Sequence, residues 1–255
     1  MHTINGSTIA GLLRRHPLWR QAEPGVIRSL AEAAWIERTR PGQLFVREGE
    51  RAEHVHLLSE GVARVFYIQT KAQPEATLAL LRAPAVLGDM ACVLQRPYTA
   101  SAEALVDAVS IVIPAATYFA ALGQSPSACM RQYIDLAERY SDTVKSTKVA
   151  YSTGLEERVV GVLAAYARTL GTETPTGIRI AGLTQDDLAV QTSSSRRCIV
   201  RALAKLYQLG TLRRIGREYE IPSVDALLGA VPAAPDLVHR TRSATWVDDS
   251  MRLVQ

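Results

Sequence analysis

The sequence has few cysteines and no long apolar run, and each absence excludes classes of protein. Its 255 residues include only three cysteines, Cys92, Cys129 and Cys198. An odd number of widely spaced cysteines argues against a disulfide framework and against a metal or iron–sulfur cluster. No apolar stretch is long enough to span a bilayer and no secretory signal is evident. We therefore expect a cytoplasmic protein with no membrane partner.

Motifs of catalysis are missing as well. We find no nucleophile paired with a base, no phosphate-binding loop, and no histidine with a partner at metal-ligand spacing, His2, His16 and His54 included. The sequence therefore predicts no catalytic residue, no metal ligand and no cofactor. The remaining composition is ordinary: 47% of the residues are hydrophobic, enough for a real core, and the net charge is only +4.

Acidic residues are absent from one stretch, and this absence is the most informative one. Between Leu188 and Arg217 there is no Asp or Glu, whereas seven basic residues fall there. They are Arg196, Arg197, Arg201, Lys205, Arg213, Arg214 and Arg217. A solvated amphipathic hairpin would mix charges of both signs. A basic helix face instead favours contact with phosphates and with the major groove of DNA.

The pattern around this stretch predicts two short helices joined by a tight turn. Thr184 can cap the first helix, since Asp187 follows three residues later. Serines at 193–195 interrupt the pattern and offer hydroxyl caps for the second helix. Apolar residues at i, i+4 and i+7 predict the inward face of that helix, and they are Ile199, Leu203 and Leu206. Residues 211–215 and 218–221 alternate around a Gly-Arg turn, which predicts a β-hairpin, or wing, ended by Pro222.

The run LTQDDLAVQTSSSRRCIVRALAKLYQLGTLRR resembles the winged helix-turn-helix of the cAMP receptor protein/FNR superfamily of bacterial regulators, without a gap over 183–212. In that family the recognition helix opens with Ser-Arg-Glu and carries a second Arg four residues after the Glu. Ser195, Arg196 and Arg201 match this pattern, but Arg197 stands where the Glu would be. A Glu accepts a hydrogen bond from the cytosine N4 amino group, whereas an Arg donates to guanine O6 and N7, so we expect a different operator. Ser193 replaces a usual turn glycine, which costs energy if φ is positive there.

Charge, capping and resemblance together nominate ten DNA-contacting residues. They are Thr184, Ser194, Ser195, Arg196, Arg197, Arg201, Lys205, Arg213, Arg214 and Arg217. The helix arginines would read bases and the wing arginines would contact the backbone.

Residues 40–114 alternate with a period of two and have glycines at the corners, which predicts a β-roll or jelly roll. RPGQLFVREGE, LLSEGVARV and LGDMACVLQRPYTASAEAL resemble the cyclic-nucleotide-binding β-roll. Its effector cassette normally reads Gly-Glu-Leu-Ala and then Pro-Arg-Ser-Ala. This chain has Gly-Asp-Met-Ala at 88–91 and Pro-Tyr-Thr-Ala at 97–100. The resemblance implies an effector set of Gly88, Asp89, Met90, Arg96, Tyr98, Thr99 and, from the long helix, Thr143.

Tyr98 takes the place of the phosphate-binding Arg in this cassette. Losing the guanidinium removes both the charge and the fork that match a phosphate. Arg96 is two residues away and could compensate. We expect that cAMP is not the effector, and two alternatives stay open: the pocket binds a different small molecule, or its own side chains fill it and it binds nothing.

Helices are predicted at 7–19, at 26–36, and at 115–122, where Gly123 would end the helix. A longer helix follows Pro126, with a heptad-like seam. The seam residues are Met130, Ile134, Ala137, Ser141, Val144, Lys148, Tyr151 and Leu155. The resemblance implies the dimer helix here, while the plainer alternative is a stripe packed on the chain's own β domain.

The sequence thus predicts an α+β protein with a cyclic-nucleotide-binding-like sensor β-roll and N-terminal helices at 1–124. A dimerisation helix at 125–155, a winged helix-turn-helix at 156–230 and a tail at 231–255 would follow. We expect a homodimeric transcription regulator that binds a near-palindrome of double-stranded DNA with half-sites ~34 Å apart. If the β-roll binds a ligand, a small-molecule effector other than cAMP would gate the regulator, and the resemblance implies RNA polymerase as a partner.

Two rival interpretations remain at this point. One is a DNA-binding regulator without a ligand, or gated by oxidation of Cys198, although an inert small residue is the plainer interpretation of a lone cysteine. The other is a small-molecule-binding module whose helix-turn-helix contacts protein.

Overall fold

The computed structural model describes residues 6–67 and 76–231. The described chain divides into two compact units, one with the residues up to Ala63 and Leu81–Leu136, the other with those of Arg64–Leu80 and from Ala137 onward. The predictions for His2 and for the tail at 232–255 lie outside the described residues, as do the side chains of Lys148 and Tyr151 in the predicted seam. No helix of the described ranges combines the length and the apolar character that crossing a membrane requires.

The N-terminal half alternates helices with short strands. In chain order these are α1 Gly6–Arg15, α2 Pro24–Ala33, β1 Trp35–Thr39, β2 Leu44–Val46, β3 His54–Glu60, β4 Val62–Tyr67, β5 Ala76–Arg82, β6 Ala85–Leu87, α3 Asp89–Val93, β7 Ser101–Ala104, β8 Ala108–Pro114 and α4 Ala115–Gln124. The strands form two four-stranded sheets, β1-β8-β3-β6 and β2-β7-β4-β5. This arrangement confirms the predicted antiparallel β-roll.

The core of this half lies between the central strands and the flanking helices. Val55, Leu57, Ile111 and Ile113 of β3 and β8 are fully buried. Trp19, Leu13 of α1, Ile27 and Leu30 of α2, and Tyr118 of α4 belong to the same apolar cluster. The helices are therefore held against one face of the β1-β8-β3-β6 sheet.

Three predicted helix ends in this half are wrong. The first helix ends at Arg15 rather than at residue 19, because the chain enters turns before Pro17. The second helix ends at Ala33 rather than at residue 36, because Trp35 and Ile36 pair with Val112 and Ile111 of β8. Aromatic and β-branched residues favour a strand there, and the sheet partner decides between the two periods. Helix α4 continues to Gln124, because Gly123 keeps a helical backbone and the extended residue Ser125 ends the helix instead.

The C-terminal half begins with the long helix α5 Pro126–Ser152. It continues as α6 Leu155–Leu170, β9 Thr172–Thr174, β10 Gly177–Ile180, α7 Gln185–Gln191, α8 Arg196–Gln208, β11 Arg213–Ile215, β12 Glu218–Ile221 and α9 Val224–Gly229. The strands make one sheet in the order β11-β12-β10-β9. These elements confirm the predicted helix-turn-helix and hairpin, and they add β9 and α9, which were not predicted.

A second apolar cluster holds these elements together. Helix α6 contributes Val159 and Leu163, helix α7 contributes Leu188, and helix α8 contributes the predicted inward residues Ile199, Leu203 and Leu206. Leu155 was predicted at the end of the long seam, but it opens α6 and packs against this cluster, since α5 ends at Ser152. The outward face of α8 is left for contacts outside the core.

Candidate nucleic-acid interface and effector cassette

The start of α7 is held by reciprocal capping, as predicted. The Thr184 hydroxyl accepts a hydrogen bond from the Asp187 N–H at 3.1 Å, and the Asp187 carboxylate accepts from the Thr184 N–H at 2.8 Å. Ser193 then adopts a φ of 50°, in the left-handed region where a glycine is usual. Ser194 donates to the Thr192 carbonyl at 3.2 Å. The predicted cost at Ser193 is therefore present.

Helix α8 presents its basic residues to solvent. Its N-cap is Ser195, whose hydroxyl accepts from the Cys198 N–H at 3.3 Å. The residues that face the core are buried, and those on the opposite side are exposed: Arg196, Arg197, Arg201 and Lys205. An exposed, capped and docked helix of this charge has the geometry that a major groove admits.

Some of these cations have partners inside the protein. Arg196 lies 3.7 Å from the Asp186 carboxylate, and Lys205 donates to the Glu156 carboxylate at 2.5 Å. Arg201 donates to the Cys198 sulfur at 3.3 Å. For Arg197 the described part of the chain offers no ion pair, so its guanidinium is open to an external acceptor.

The hairpin after α8 carries three exposed arginines, Arg213, Arg214 and Arg217. Gly216 makes the turn with a φ of 61°. Arg214 donates to the Gly216 carbonyl at 3.1 Å and lies 5.8 Å from the centre of the Tyr219 ring. The turn and the ring thus orient one of the three arginines, which together form the basic edge of the wing.

In the effector cassette, Tyr98 turns inward. Gly88 precedes α3 with a φ of 83°, and a Cβ there would lie 3.0 Å from the His54 carbonyl oxygen and 3.1 Å from Tyr98 Cε1. The Tyr98 hydroxyl donates to the same carbonyl at 2.8 Å. Burial raises the pKa of Tyr98 to about 12, so the phenol stays protonated and keeps donating. The residue at the place of the family's arginine is bonded to strand β3.

Asp89 is also engaged internally. It is only 5% exposed, and its carboxylate accepts from the Gln132 amide at 2.6 Å. The Gln132 carbonyl in turn accepts from the Tyr118 hydroxyl at 2.6 Å. The chain of bonds joins α3, α5 and α4. Gln132 was not predicted, although its position between seam residues of α5 marks it as belonging to the opposite face of that helix.

The other four predicted effector residues are exposed to solvent. Met90, Arg96 and Thr99 are exposed. Thr143 is exposed too, and its hydroxyl donates to the Arg139 carbonyl of the same helix at 2.9 Å. The structure therefore brings Gly88, Asp89 and Tyr98 into internal contacts and leaves the remaining four outside them.

Comparison with known proteins agrees with this architecture. Residues 36–125 match the family description of the cyclic nucleotide-binding domain. A CRP-family transcriptional regulator from Thermus thermophilus superposes with a TM-score of 0.66 at 22% identity, covering 78% of this chain and 99% of that one. The c-di-GMP-responsive global regulator of Xanthomonas campestris gives 0.66 at 17% identity over the same shares. A putative crp/fnr-family regulator from Eubacterium rectale gives 0.69 at 18% identity, covering 84% and 98%.

No curated protein matches the sequence significantly. Residues 36–125 are similar to the cyclic nucleotide-binding domain, and the described chain has the fold of the Crp/Fnr transcriptional regulators.

Two residues of α6 outside the predicted set contact α8 or the turn before it. Arg158 of α6 donates to the Thr153 carbonyl at 2.6 Å and to the Thr192 carbonyl at 3.2 Å. Glu156, in the first turn of the same helix, holds Lys205. The bonds to Thr192 and to Lys205 each join residues more than thirty positions apart, so no local motif could have indicated them.

Cys198 lies at the basic face and is partly exposed. Hydrogen bonding by the Ser195 side chain, and then by Arg201, holds the pKa of the Cys198 thiol below its usual value. Cys92, by contrast, is buried in the cyclic nucleotide-binding domain, and burial raises the pKa of that thiol to about 11. Cys198 is therefore the more reactive of these two thiols.

Proposed function

We propose that this protein is a sequence-specific DNA-binding transcription regulator that acts as a homodimer on a near-palindromic operator. The observation that carries the proposal is the exposed basic face of α8, whose other side is buried in the apolar core, together with the exposed arginines of the wing. Phosphates attract such a face, and arginine forks discriminate guanine by about 1–3 kcal/mol per good bidentate pair. RNA polymerase is a proposed partner through the family resemblance alone.

An uncovered apolar stripe on α5 supports the homodimer. Met130, Tyr133, Tyr140 and Val144 are between 49% and 71% exposed, and with Ala137 they are spaced three and four residues apart. A stripe of this spacing suits a second helix of the same kind. The stripe differs from the predicted seam at two positions. Tyr133 and Tyr140 are the exposed apolar residues there, where the seam was predicted to contain their neighbours Ile134 and Ser141.

Internal bonding in the cassette supports regulation without cAMP. The two groups that would meet a ribose hydroxyl and a cyclic phosphate, at Asp89 and Tyr98, already bond to Gln132 and to the His54 carbonyl. A nucleotide would have to replace both bonds, and Tyr98 would offer it no guanidinium in return. We infer a regulator that binds DNA without a ligand, while a different small molecule stays the alternative.

Redox gating is the second candidate, and the lowered pKa of Cys198 favours it. Oxidation would add charge or bulk between Arg197 and Arg201 on the basic face. In Cys198→Ser, DNA binding should be retained and should resist peroxide. Equal loss of binding in the variant and in the unchanged protein would dismiss the redox gate.

The test of the main proposal is selection of bound sequences from a random duplex library at moderate salt, without added ligand. The expected result is a strong inverted repeat with half-sites one helical turn apart. Adding cAMP should leave the selected sequences and their affinity unchanged. Weak binding that ignores sequence and disappears with salt would argue against a ligand-independent regulator, and binding to no duplex at any salt would dismiss the DNA-binding function.

A further inference from the structure

Lys205 continues the row of cations on the recognition helix. Arg197, Arg201 and Lys205 are spaced four residues apart along α8, and all three are exposed. Side chains at this spacing lie along one side of a helix. A duplex that meets Arg197 and Arg201 therefore brings its phosphates toward Lys205 as well.

The Lys205 ammonium nevertheless already has a hydrogen-bond partner, which belongs to another helix of the same chain. It donates to the Glu156 carboxylate at 2.5 Å, across 49 positions of sequence. Glu156 lies in the first turn of α6, where the helix dipole favours a negative charge. The Lys205 and Glu156 side chains are 56% and 37% exposed, so water and external anions can reach the pair.

Other contacts hold the two ends of this pair in place. Arg158, two residues after Glu156, bonds to the carbonyls of Thr153 and Thr192, and so fixes the start of α6 against the turn before α8. Val159 of α6 and Ile199 of α8 are buried in the same core. The carboxylate thus stays near the ammonium without the full loss of side-chain entropy that weakens most surface pairs.

The second acidic partner on this surface is looser. Asp186 lies 3.7 Å from Arg196, and these two side chains are 70% and 66% exposed. Of these two pairs, only Glu156 and Lys205 lie within hydrogen-bond distance of each other and stand on helices that further contacts hold in place.

We propose that Glu156 competes with DNA phosphate for Lys205 and thereby lowers both the affinity for DNA and its salt dependence. The inference rests on the proposed function, because it concerns the same DNA-binding surface. A Lys205 that stays on Glu156 neutralises no phosphate and releases no counterion from DNA. Removing the carboxylate frees the ammonium to bind a phosphate in each protomer.

The experiment compares Glu156→Gln with the unchanged full-length protein on the duplex enriched by the selection, over a series of salt concentrations. The slope of log affinity against log salt should steepen by about 0.9 for each additional phosphate that Lys205 neutralises. Affinity at low salt should rise by up to about fivefold per protomer, the upper range for an exposed pair. Glu156→Asp keeps the charge but shortens the side chain, and should give an intermediate slope.

Two controls separate competition from a general increase in positive charge. Glu173→Gln removes an exposed carboxylate on β9 that has no ion pair within the described ranges, and it should leave the slope unchanged. In a Lys205→Gln background, Glu156→Gln should have no further effect, because the group it releases is gone.

An unchanged slope in Glu156→Gln would overturn the competition, as would an equal change in Glu173→Gln or a full effect in the Lys205→Gln background. Any of these results, obtained while the unchanged protein binds the selected duplex, refutes the competition and leaves the DNA-binding function standing. Failure of the unchanged protein to bind any duplex would instead refute the DNA-binding function.

Discussion

The exposed basic residues of α8 and the wing form the proposed recognition surface. Its polar groups face solvent, whereas those of the effector cassette bond inside the protein. On α8 and the wing, the basic residues are exposed, and Arg197 has no ion pair within the described chain. In the cassette, Asp89 and Tyr98 are less than 10% exposed, and each bonds to a protein group. Exposed cations remain hydrated and can exchange water for phosphate, whereas buried polar groups require internal partners. One fold therefore combines an exposed cationic surface, which suits the proposed contact with DNA, with a cassette whose polar groups bond inside the protein.

The largest expected difference is in stability at acid pH, which should fall in the unit that contains the cassette and not in the unit that contains α8. Burial lowers the pKa of His16 and of His56 to about 4, and both lie in the N-terminal unit. The Glu37 carboxylate is 3.9 Å from His56 Nδ1, beyond hydrogen-bond reach, so burial outweighs it. As pH falls from about 6.5 to about 4, the unfolded chain takes up a proton at each histidine and the folded chain does not. Each should cost the N-terminal unit about 3 kcal/mol of stability by pH 4.

Amide hydrogen exchange at several pH values measures this difference, because it follows the two units separately. After correction for the slower intrinsic exchange in acid, exchange in β3 and β8 should accelerate below pH 6.5, while α6 and α8 should stay protected. His16→Gln and His56→Gln should each flatten the pH dependence. An equal acceleration in both units, or an unchanged pH dependence in both variants, would contradict the assignment to the buried histidines.

Arg197→Ala should cost DNA affinity without costing stability. The expected loss is about 1–3 kcal/mol of binding free energy on the selected duplex, with relaxed specificity at one base pair. The unfolding midpoint in urea should not move, because the side chain is exposed. Arg14→Ala, which removes an exposed arginine from α1, is the matched control and should leave binding unchanged. Recovery of the same half-site by Arg197→Ala would show that Arg197 does not read a base.

Tyr98→Phe should show the reverse, a loss of stability without a loss of DNA affinity. Removing the hydroxyl takes a donor from the His54 carbonyl, and it should cost about 0.5–1.5 kcal/mol in urea unfolding. Weaker DNA binding in Tyr98→Phe at unchanged stability would mean that the cassette acts on the DNA-binding unit after all.

The recognition surface could be predicted from sequence because its determinants are local. The Thr184–Asp187 capping pair and the Ser195 cap each span three residues, and the inward face of α8 repeats within two turns. Charge of one sign over residues 188–217 indicated the proposed contact with DNA. Each of these signals is complete within a short window of the chain.

Contacts between distant residues gave no such signal. The Asp89–Gln132 bond joins residues 43 positions apart, and the Arg158–Thr192 bond joins residues 34 apart. Resemblance indicated that Tyr98 replaces an arginine, but the fold was needed to show that its hydroxyl meets the His54 carbonyl. The strand at Trp35 was missed for the same reason, since its partner β8 lies far along the chain, with Val112 opposite Trp35.

The smallest expected effect tests a feature that the two regions share. Ser193, before α8, has a φ of 50°, and Gln95, after α3, has a φ of 51°; both are exposed. A left-handed backbone costs an ordinary residue about 1–2 kcal/mol. Glycine avoids this cost, but it loses more conformational entropy on folding, which cancels part of the gain in stability. Ser193→Gly and Gln95→Gly should therefore each raise stability by up to about 1 kcal/mol in urea unfolding.

Ser194→Gly is the control for these two changes, since its φ is not positive, and it should give no increase in stability.

An increase in stability for Gln95→Gly without one for Ser193→Gly would mean that other contacts already hold the turn at Ser193. Arg158 and Ser194 both donate to the Thr192 carbonyl beside Ser193, and these bonds hold the turn whichever residue occupies it. Arg158→Gln would then cost the serine protein more stability than the glycine variant, because only the serine needs the bonds to keep its backbone left-handed. Equal costs in the two backgrounds would show that the turn is held by the core beneath it.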